Sequence, residues 1–252
     1  MKQTPRKDEI LTVLNRYGYA TVEFLSKTIF VSPSSIRRDL ARLEAQGLVR
    51  RSHGGVHSLK ARKELTPYSL RMRENTAAKR LICEKAVALV SDGDVIFIDG
   101  STTCLFLPEL LERKKNITVL TNSLHLAGMF ESHESVTVYC TGGNLRLHGE
   151  MVMAGPIAEQ TCMQIHTNVM FFSARAIDEK GTITDLNEPE TSLRRVAMQH
   201  TDKAVFLCDH SKFGKSSVFT VCRAADITCV VTDVPPEEVD TRAWEIGVLC
   251  IQ

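Results

Sequence analysis

Apolar residues first recur along this chain at Ile10, Val13, Leu14 and Tyr17, the spacing that lines one face of a helix, and Gly18 is placed to end that helix. A second short helix is predicted behind a Thr21 cap, with Val22, Leu25 and Ile29 as its buried stripe. A third starts sharply at Ser32-Pro33, a cap followed by proline at the first helical position, and turns Ile36, Leu40 and Leu43 inward until Gly47 closes it. From Leu48 to Val56 the pattern changes to two short extended runs around basic and turn residues, which reads as a β-hairpin wing. Three helices and a wing complete a small domain over residues 1–57.

Residues 58–75 are rich in Lys, Arg, Glu and Ser with little apolar periodicity and read as a linker. From residue 76 to 252 helical patterns alternate with short β-branched runs: Val95–Ile98, Ile117–Leu120, Val136–Tyr139, Val169–Phe172, Ala204–Leu207 and Cys229–Val231. Short strands that are apolar throughout, set between helices, are what a parallel sheet covered on both faces produces. The predicted fold is α/β: a small winged helix-turn-helix followed by a larger, mostly parallel, Rossmann-like domain.

Charge sharpens this division. Residues 1–62 hold 12 Lys and Arg against 5 Asp and Glu, a net +7, while the rest holds 19 against 25, a net −6. A basic end on an acidic body is the pattern of a DNA-binding module joined to something that does not bind DNA. The eight cysteines are scattered, never as Cys-x-x-Cys, and several lie in apolar runs, so free core thiols are expected and no metal site is implied. No stretch has the roughly 18 apolar residues of a membrane helix, and the first residues lack the apolar core of a signal peptide, so the expected location is the cytoplasm.

With Ile36, Leu40 and Leu43 facing inward, helical geometry turns Ser34, Ser35, Arg38 and Arg42 outward, with Arg37 at the border. Arginine can bond guanine in two places at once and serine can donate to a base edge or a phosphate, while Arg51 and His53 of the wing, beside Arg50, suit the backbone or the minor groove. On spacing alone a less favoured alternative is a solvated face with Asp39 as an ion-pair partner. Beyond spacing, Val31-Ser32-Pro33-Ser34-Ser35-Ile36-Arg37-Arg38-Asp39-Leu40, then Leu43-Glu44 and Arg51-Ser52-His53-Gly54-Gly55, closely resemble the helix-turn-helix signature of DeoR-type bacterial repressors. That family usually has threonine where Ser35 stands.

In the larger domain four polar segments directly follow predicted strands: Asp99-Gly100-Ser101-Thr102-Thr103, Thr121-Asn122-Ser123, Thr141-Gly142-Gly143-Asn144 and Asp209-His210-Ser211-Lys212. The C-terminal ends of parallel strands share one edge, so these segments should converge where such sheets bind ligands. Gly100 permits a tight turn, Ser101, Thr102 and Thr103 offer hydroxyl and N–H donors, and a helix running from Leu105 to Leu111 would add its positive end, a setting for a phosphate with Lys212 as a point charge. Asp99, Asn122 and Glu190 are candidates to accept from sugar hydroxyls. Each segment also reads as an ordinary turn or cap. Walker A and Gly-x-Gly-x-x-Gly patterns are absent, which argues against a nucleoside triphosphate or a dinucleotide.

The resemblance to the DeoR family extends over this domain through the segments around Asp99, Asn122 and Ser123, Gly142 and Gly143, Asp178 with Gly181, Glu190, and Asp209 to Gly214. It implies a sensor similar in fold to ribose-5-phosphate isomerase that binds a phosphorylated sugar or polyol, and no cofactor. Where the family commonly has glycines before its Ile-Asp pair, this chain has Ser173-Ala174-Arg175-Ala176, side chains that would narrow a cleft or, for Arg175, add a phosphate contact. The leading expectation is a repressor of a carbohydrate operon, a homodimer or homotetramer on double-stranded operator DNA, relieved by its effector. A second is a sugar-phosphate isomerase or deaminase with a DNA-binding appendage, which would need a positioned general base such as Asp99, Asp178 or Glu190. A third is an architectural DNA-binding protein with no ligand response.

Overall fold

The computed structural model describes residues 4–17, 19–52, 55–58, 68–146, 151–235, 238, 244 and 247–250. The chain divides into two compact units, Met1–Arg71 and Met72–Gln252. The first contains α1 (Thr4–Tyr17), β1 (Tyr19–Thr21), α2 (Val22–Ile29), α3 (Pro33–Ala45), β2 (Val49–Ser52), β3 (Gly55–Ser58) and the short α4 (Tyr68–Arg71). Its core gathers the predicted stripes: Ile10 and Leu14, Leu25, then Ile36, Leu40 and Leu43, closed by Val49 and Val56. Thr21 Oγ1 accepts from the Phe24 N–H at 3.0 Å and caps α2; Ser32 with Pro33 starts α3. The chain turns between these helices through Phe30, which holds left-handed backbone at φ 56°. The predicted hairpin is β2 paired with β3, and β1 adds a third strand on the other side of β3. Gly18 lies outside the described residues.

The second unit is built on one parallel seven-stranded sheet. In chain order its elements are α5 (Thr76–Ala86), β4 (Val95–Ile98), α6 (Leu107–Leu111), β5 (Ile117–Thr121), α7 (Leu124–Gly128), β6 (Val136–Cys140), β7 (Asn144–Arg146), β8 (Val152–Ala154), α8 (Pro156–Gln164), β9 (Thr167–Phe172), β10 (Ala176–Ile177), β11 (Thr182–Asp185), α9 (Glu188–Gln199), β12 (Thr201–Cys208), β13 (Phe219–Arg223), β14 (Cys229–Thr232) and β15 (Gly247–Cys250). The sheet order is β15-β14-β12-β9-β4-β5-β6. The chain therefore runs outward from β4 through β5 to β6, returns to the other side of β4, and runs outward again. That reversal puts a crevice between the ends of β4 and β9, the switch point of a doubly wound sheet.

All six predicted strands lie in this sheet, and β15 adds a seventh at its edge. The inner strands are apolar throughout because helices and loops bury both faces, with Phe97, Phe171, Phe172 and Phe206 fully enclosed. Two smaller antiparallel structures accompany it, the hairpin β7–β8 and the three-stranded sheet β10-β11-β13. Five of the cysteines, Cys83, Cys104, Cys162, Cys208 and Cys229, are buried free thiols, and burial pushes the Cys162 thiol up to about 12. Among the described residues no helix is long and apolar enough to cross a membrane.

Candidate functional sites

In the first unit α3 presents Ser34, Arg37, Arg38 and Arg42 on its exposed face, with Ser35 half-buried beside them. Asp39 has turned inward and is buried, where it pairs with Arg6 of α1 at 2.6 Å and with Arg42 at 3.8 Å. Arg6, Ser35, Arg38, Asp39 and Arg42 together line a polar cleft, so α1 contributes a cation that the helix periodicity of α3 did not reveal. Arg37 and Arg38 make no ion pair among the described residues and are available to an external anion. Arg51 is exposed on β2, and its N–H donates to Glu44 Oε1 at 2.8 Å, which ties the wing to α3. His53 lies outside the described residues.

In the second unit the Asp99–Thr103 loop leaves β4 at the switch point. Gly100 is required there by packing, since a Cβ would stand 2.6 Å from Val152 Cγ2 and 3.1 Å from Ser123 Cβ. Its N–H donates to Asn122 Oδ1 at 2.8 Å, and the Asn122 amide donates to the Met153 carbonyl at 3.3 Å. Asn122 thus clamps the loop to β8. Ser123 Oγ accepts from the Leu126 N–H and caps α7. Gly142 and Gly143, at φ 69° and 98°, turn the chain from β6 into β7.

Two lysines converge on the hydroxyls of this loop. Lys212 Nζ donates to Thr103 Oγ1 at 3.2 Å and to Ser173 Oγ, and stands 3.5 Å from Asp209 Oδ2. Lys79 of α5 is 4% exposed and donates to Thr102 Oγ1 at 3.2 Å. The Ser101 hydroxyl is buried without a hydrogen-bond partner among the described residues. Burial alone would raise the Asp209 carboxyl, but Lys212 and hydrogen bonds from Ser211 and Asn75 outweigh it and hold the group at about 2. Two ammonium groups and the Thr102 and Thr103 hydroxyls thus meet at this loop, beside the Asp209 carboxylate, and make a candidate cradle for an anion.

The helix end expected behind this loop is not there. Cys104–Phe106 is a 3₁₀ turn, and α6 begins only at Leu107, because Pro108 fits the first turn of a helix and not its interior. Positive charge at the loop therefore comes from lysine side chains. Ser173, read from sequence as an obstruction, contributes its hydroxyl to Lys212, while Ala174 and Ala176 are buried in the core. Arg175 is half-buried beside them.

Asp99, expected to accept from sugar hydroxyls, is buried in bonds to the protein itself. Its carboxylate accepts from Arg194 Nε at 2.7 Å and from the Ser101 and Ser173 N–H groups at 3.0 and 3.4 Å. Arg194 of α9 is itself buried and also pairs with Asp185 at 2.8 Å and Glu190 at 3.6 Å. Burial works against its charge, but these carboxylates prevail and push the guanidinium pKa above its ordinary value. Glu190 further accepts from Asn187 and, at 3.3 Å, from Arg146 of β7, so it fastens the β7–β8 hairpin to α9. Asp178 shapes the β10–β11 turn by accepting from the Lys180 and Thr182 N–H groups at 3.0 and 2.7 Å. Each carboxylate named as a general-base candidate is thus held in a structural bond.

Lys79 and Arg194 escaped the sequence reading. Both carried a signal: Lys79 occupies the first place of the stripe completed by Ile82, Cys83 and Ala86, and Arg194 lies between the buried Thr191 and Ala197. A charge on the apolar face of a helix is either paired or functional.

A basic helix-turn-helix unit followed by a doubly wound unit with a cationic cradle at its switch point defines a DNA-binding protein with a separate sensing domain. Comparison with known proteins gives the same division. A model described as the DeoR-like helix-turn-helix domain matches residues 6–62, and one described as the DeoR C terminal sensor domain matches residues 74–234. The chain is 33% identical over 228 residues to the L-fucose operon activator of Haemophilus influenzae, covering 90% of this chain and 91% of that protein. It is 30% identical over 239 residues to the glycerol-3-phosphate regulon repressor of Escherichia coli, covering 94% and 93%. Among solved structures it is similar to ribose 5-phosphate isomerase A from Methanocaldococcus jannaschii, at 15% identity and a TM-score of 0.41 over 56% of this chain and 55% of that one. The chain belongs to the DeoR family: it is a DNA-binding transcriptional regulator and not an enzyme.

Proposed function

We propose that this regulator represses a carbohydrate or polyol catabolic operon and releases its operator when a phosphorylated sugar or polyol occupies the Lys79–Lys212 cradle. The observation that carries this reading is the convergence of two ammonium groups on the Thr102 and Thr103 hydroxyls at the switch point. A phosphate supplies several acceptor oxygens and the negative charge that two lysines compensate. The name of the E. coli relative supports a repressor acting in phosphorylated-polyol metabolism, and the name of the H. influenzae relative supports sugar metabolism with the opposite sign of control. Repression is favoured here because it needs only that the bound protein block the promoter.

The DNA-binding surface is Ser34, Ser35, Arg37, Arg38 and Arg42 of α3 with Arg51 and His53 of the wing, joined by Arg6. The regulator acts in the cytoplasm as a homodimer or homotetramer, since one such unit covers a single half-site. A gel-shift titration on DNA upstream of its own gene, at fixed salt, with a panel of sugar phosphates and the matching free sugars, tests the reading. Release by a phosphorylated compound and not by its free sugar is expected. A specific complex that no phosphorylated compound alters would overturn the sensor assignment and leave the DNA-binding one.

A further inference from the structure

The polypeptide arriving from the DNA-binding unit enters α5 through a residue that touches the anion cradle. Asn75 holds left-handed backbone at φ 52° and ψ 35°, and its side chain makes no cap bond to α5. Its carbonyl accepts from the Lys79 N–H at 2.9 Å and closes the first turn of the helix. Its amide reaches across the fold and donates to Asp209 Oδ1 at 2.9 Å, while Asp209 Oδ2 faces Lys212 Nζ at 3.5 Å. One buried carboxylate therefore joins the ammonium group of the cradle to the point where the linking segment becomes helix. Lys79, one turn further on, makes a second connection through Thr102.

We infer that Asn75 is a positioning residue that passes occupancy of the cradle to the segment leading to the DNA-binding unit, an inference that rests on the reading of Lys212 as an anion ligand. A phosphate oxygen that accepts hydrogen bonds from the Lys212 ammonium draws the nearest counter-charge away from Asp209. It also places a second negative charge on that side of the carboxylate. Both effects drive Asp209 toward its neutral donors, Ser211 and the Asn75 amide. Asn75 is then gripped more firmly, and the turn from Met72 to Lys79 stiffens with it. Without an anion Asp209 is shared with Lys212, and the same turn is held more loosely. A left-handed asparagine suits this task, because asparagine accepts that backbone more readily than other residues with a Cβ and its amide is then placed to reach Asp209.

Hydrogen–deuterium exchange of the full chain with and without inorganic phosphate tests the relay, in the wild type and in Asn75→Gly and Asn75→Asp. Glycine accepts the left-handed backbone and deletes only the tether; aspartate keeps the side-chain size and sets a carboxylate against Asp209. In all three chains phosphate is expected to slow exchange over residues 100–104 and at Lys212. Several-fold slowing at the Lys79 N–H and the next amides is expected in the wild type alone. Protection of the loop with no change at α5 in the wild type overturns the relay and leaves the anion site standing. Equal slowing at α5 in the Asn75→Gly chain also overturns it. No protection at the loop in any chain overturns the anion site and the relay together.

Discussion

A guanidinium that is 5% exposed must be neutralised where it stands, and Arg194 meets Asp99, Asp185 and Glu190 there. Removing it would strand two carboxylates bonded to it at 2.7 and 2.8 Å. Arg194→Ala is therefore expected to lower stability by about 3–5 kcal/mol in urea unfolding. Asp209 predicts a pH dependence. Its folded pKa of about 2 lies below the usual aspartate value, so its stabilising contribution, about 2 kcal/mol, is complete above the unfolded pKa and lost as pH falls through the folded one. The gap in urea midpoint between wild type and Asp209→Asn should be widest near neutrality and shrink from about pH 4 toward 2. Sequence alone picked out Asp99, Asn122, Asp178 and Glu190 as polar residues of consequence. It could not show that Asp99 is bonded to Arg194 or that Asn122 joins Gly100 to Met153, because those contacts cross the fold and leave no mark in local spacing.

Elements were legible where burial forces a simple pattern. Five of the six apolar runs are inner strands of the sheet, because a strand covered on both faces has no reason to alternate, while the sixth, β6, is an edge strand with little of its surface buried. The hairpin β7–β8 left no such trace: its strands are three residues long, and β7 is exposed throughout. Yet β8 packs against the turn of β4, and Gly100 owes its identity to Val152. Gly100→Ala is expected to cost about 1–3 kcal/mol through overpacking, since the new methyl would meet Val152 Cγ2 at 2.6 Å. Val152→Ala in the same chain should recover much of that loss. Thermal unfolding of the two single variants and the double variant measures the coupling, and strictly additive losses would mean that β8 does not set the residue at position 100.

For the whole molecule, the excess of positive charge in the first 62 residues already separates the two activities along the chain, and each unit supplies its own cations. Arg37 and Arg38 are free of ion pairs among the described residues and reach outward from α3, whereas Lys212 lies within the sensor fold. Arg38→Ala is therefore expected to weaken operator binding by roughly 1–3 kcal/mol if the side chain reads a base. If it meets a phosphate instead, the loss should be uniform over DNA sequences, and the dependence of log K on log salt should fall by about one. In either case the effector should bind as it does to wild type. Lys212→Ala should bind operator normally and fail to release it when the effector identified by gel shift is added, because a regulator responds only as far as its ligand distinguishes two states. Parallel gel shifts and direct ligand titrations of both variants decide the matter. If either substitution impaired both activities to a similar degree, the cations of the two units would serve one shared site, and the division of labour drawn from charge and fold would fail.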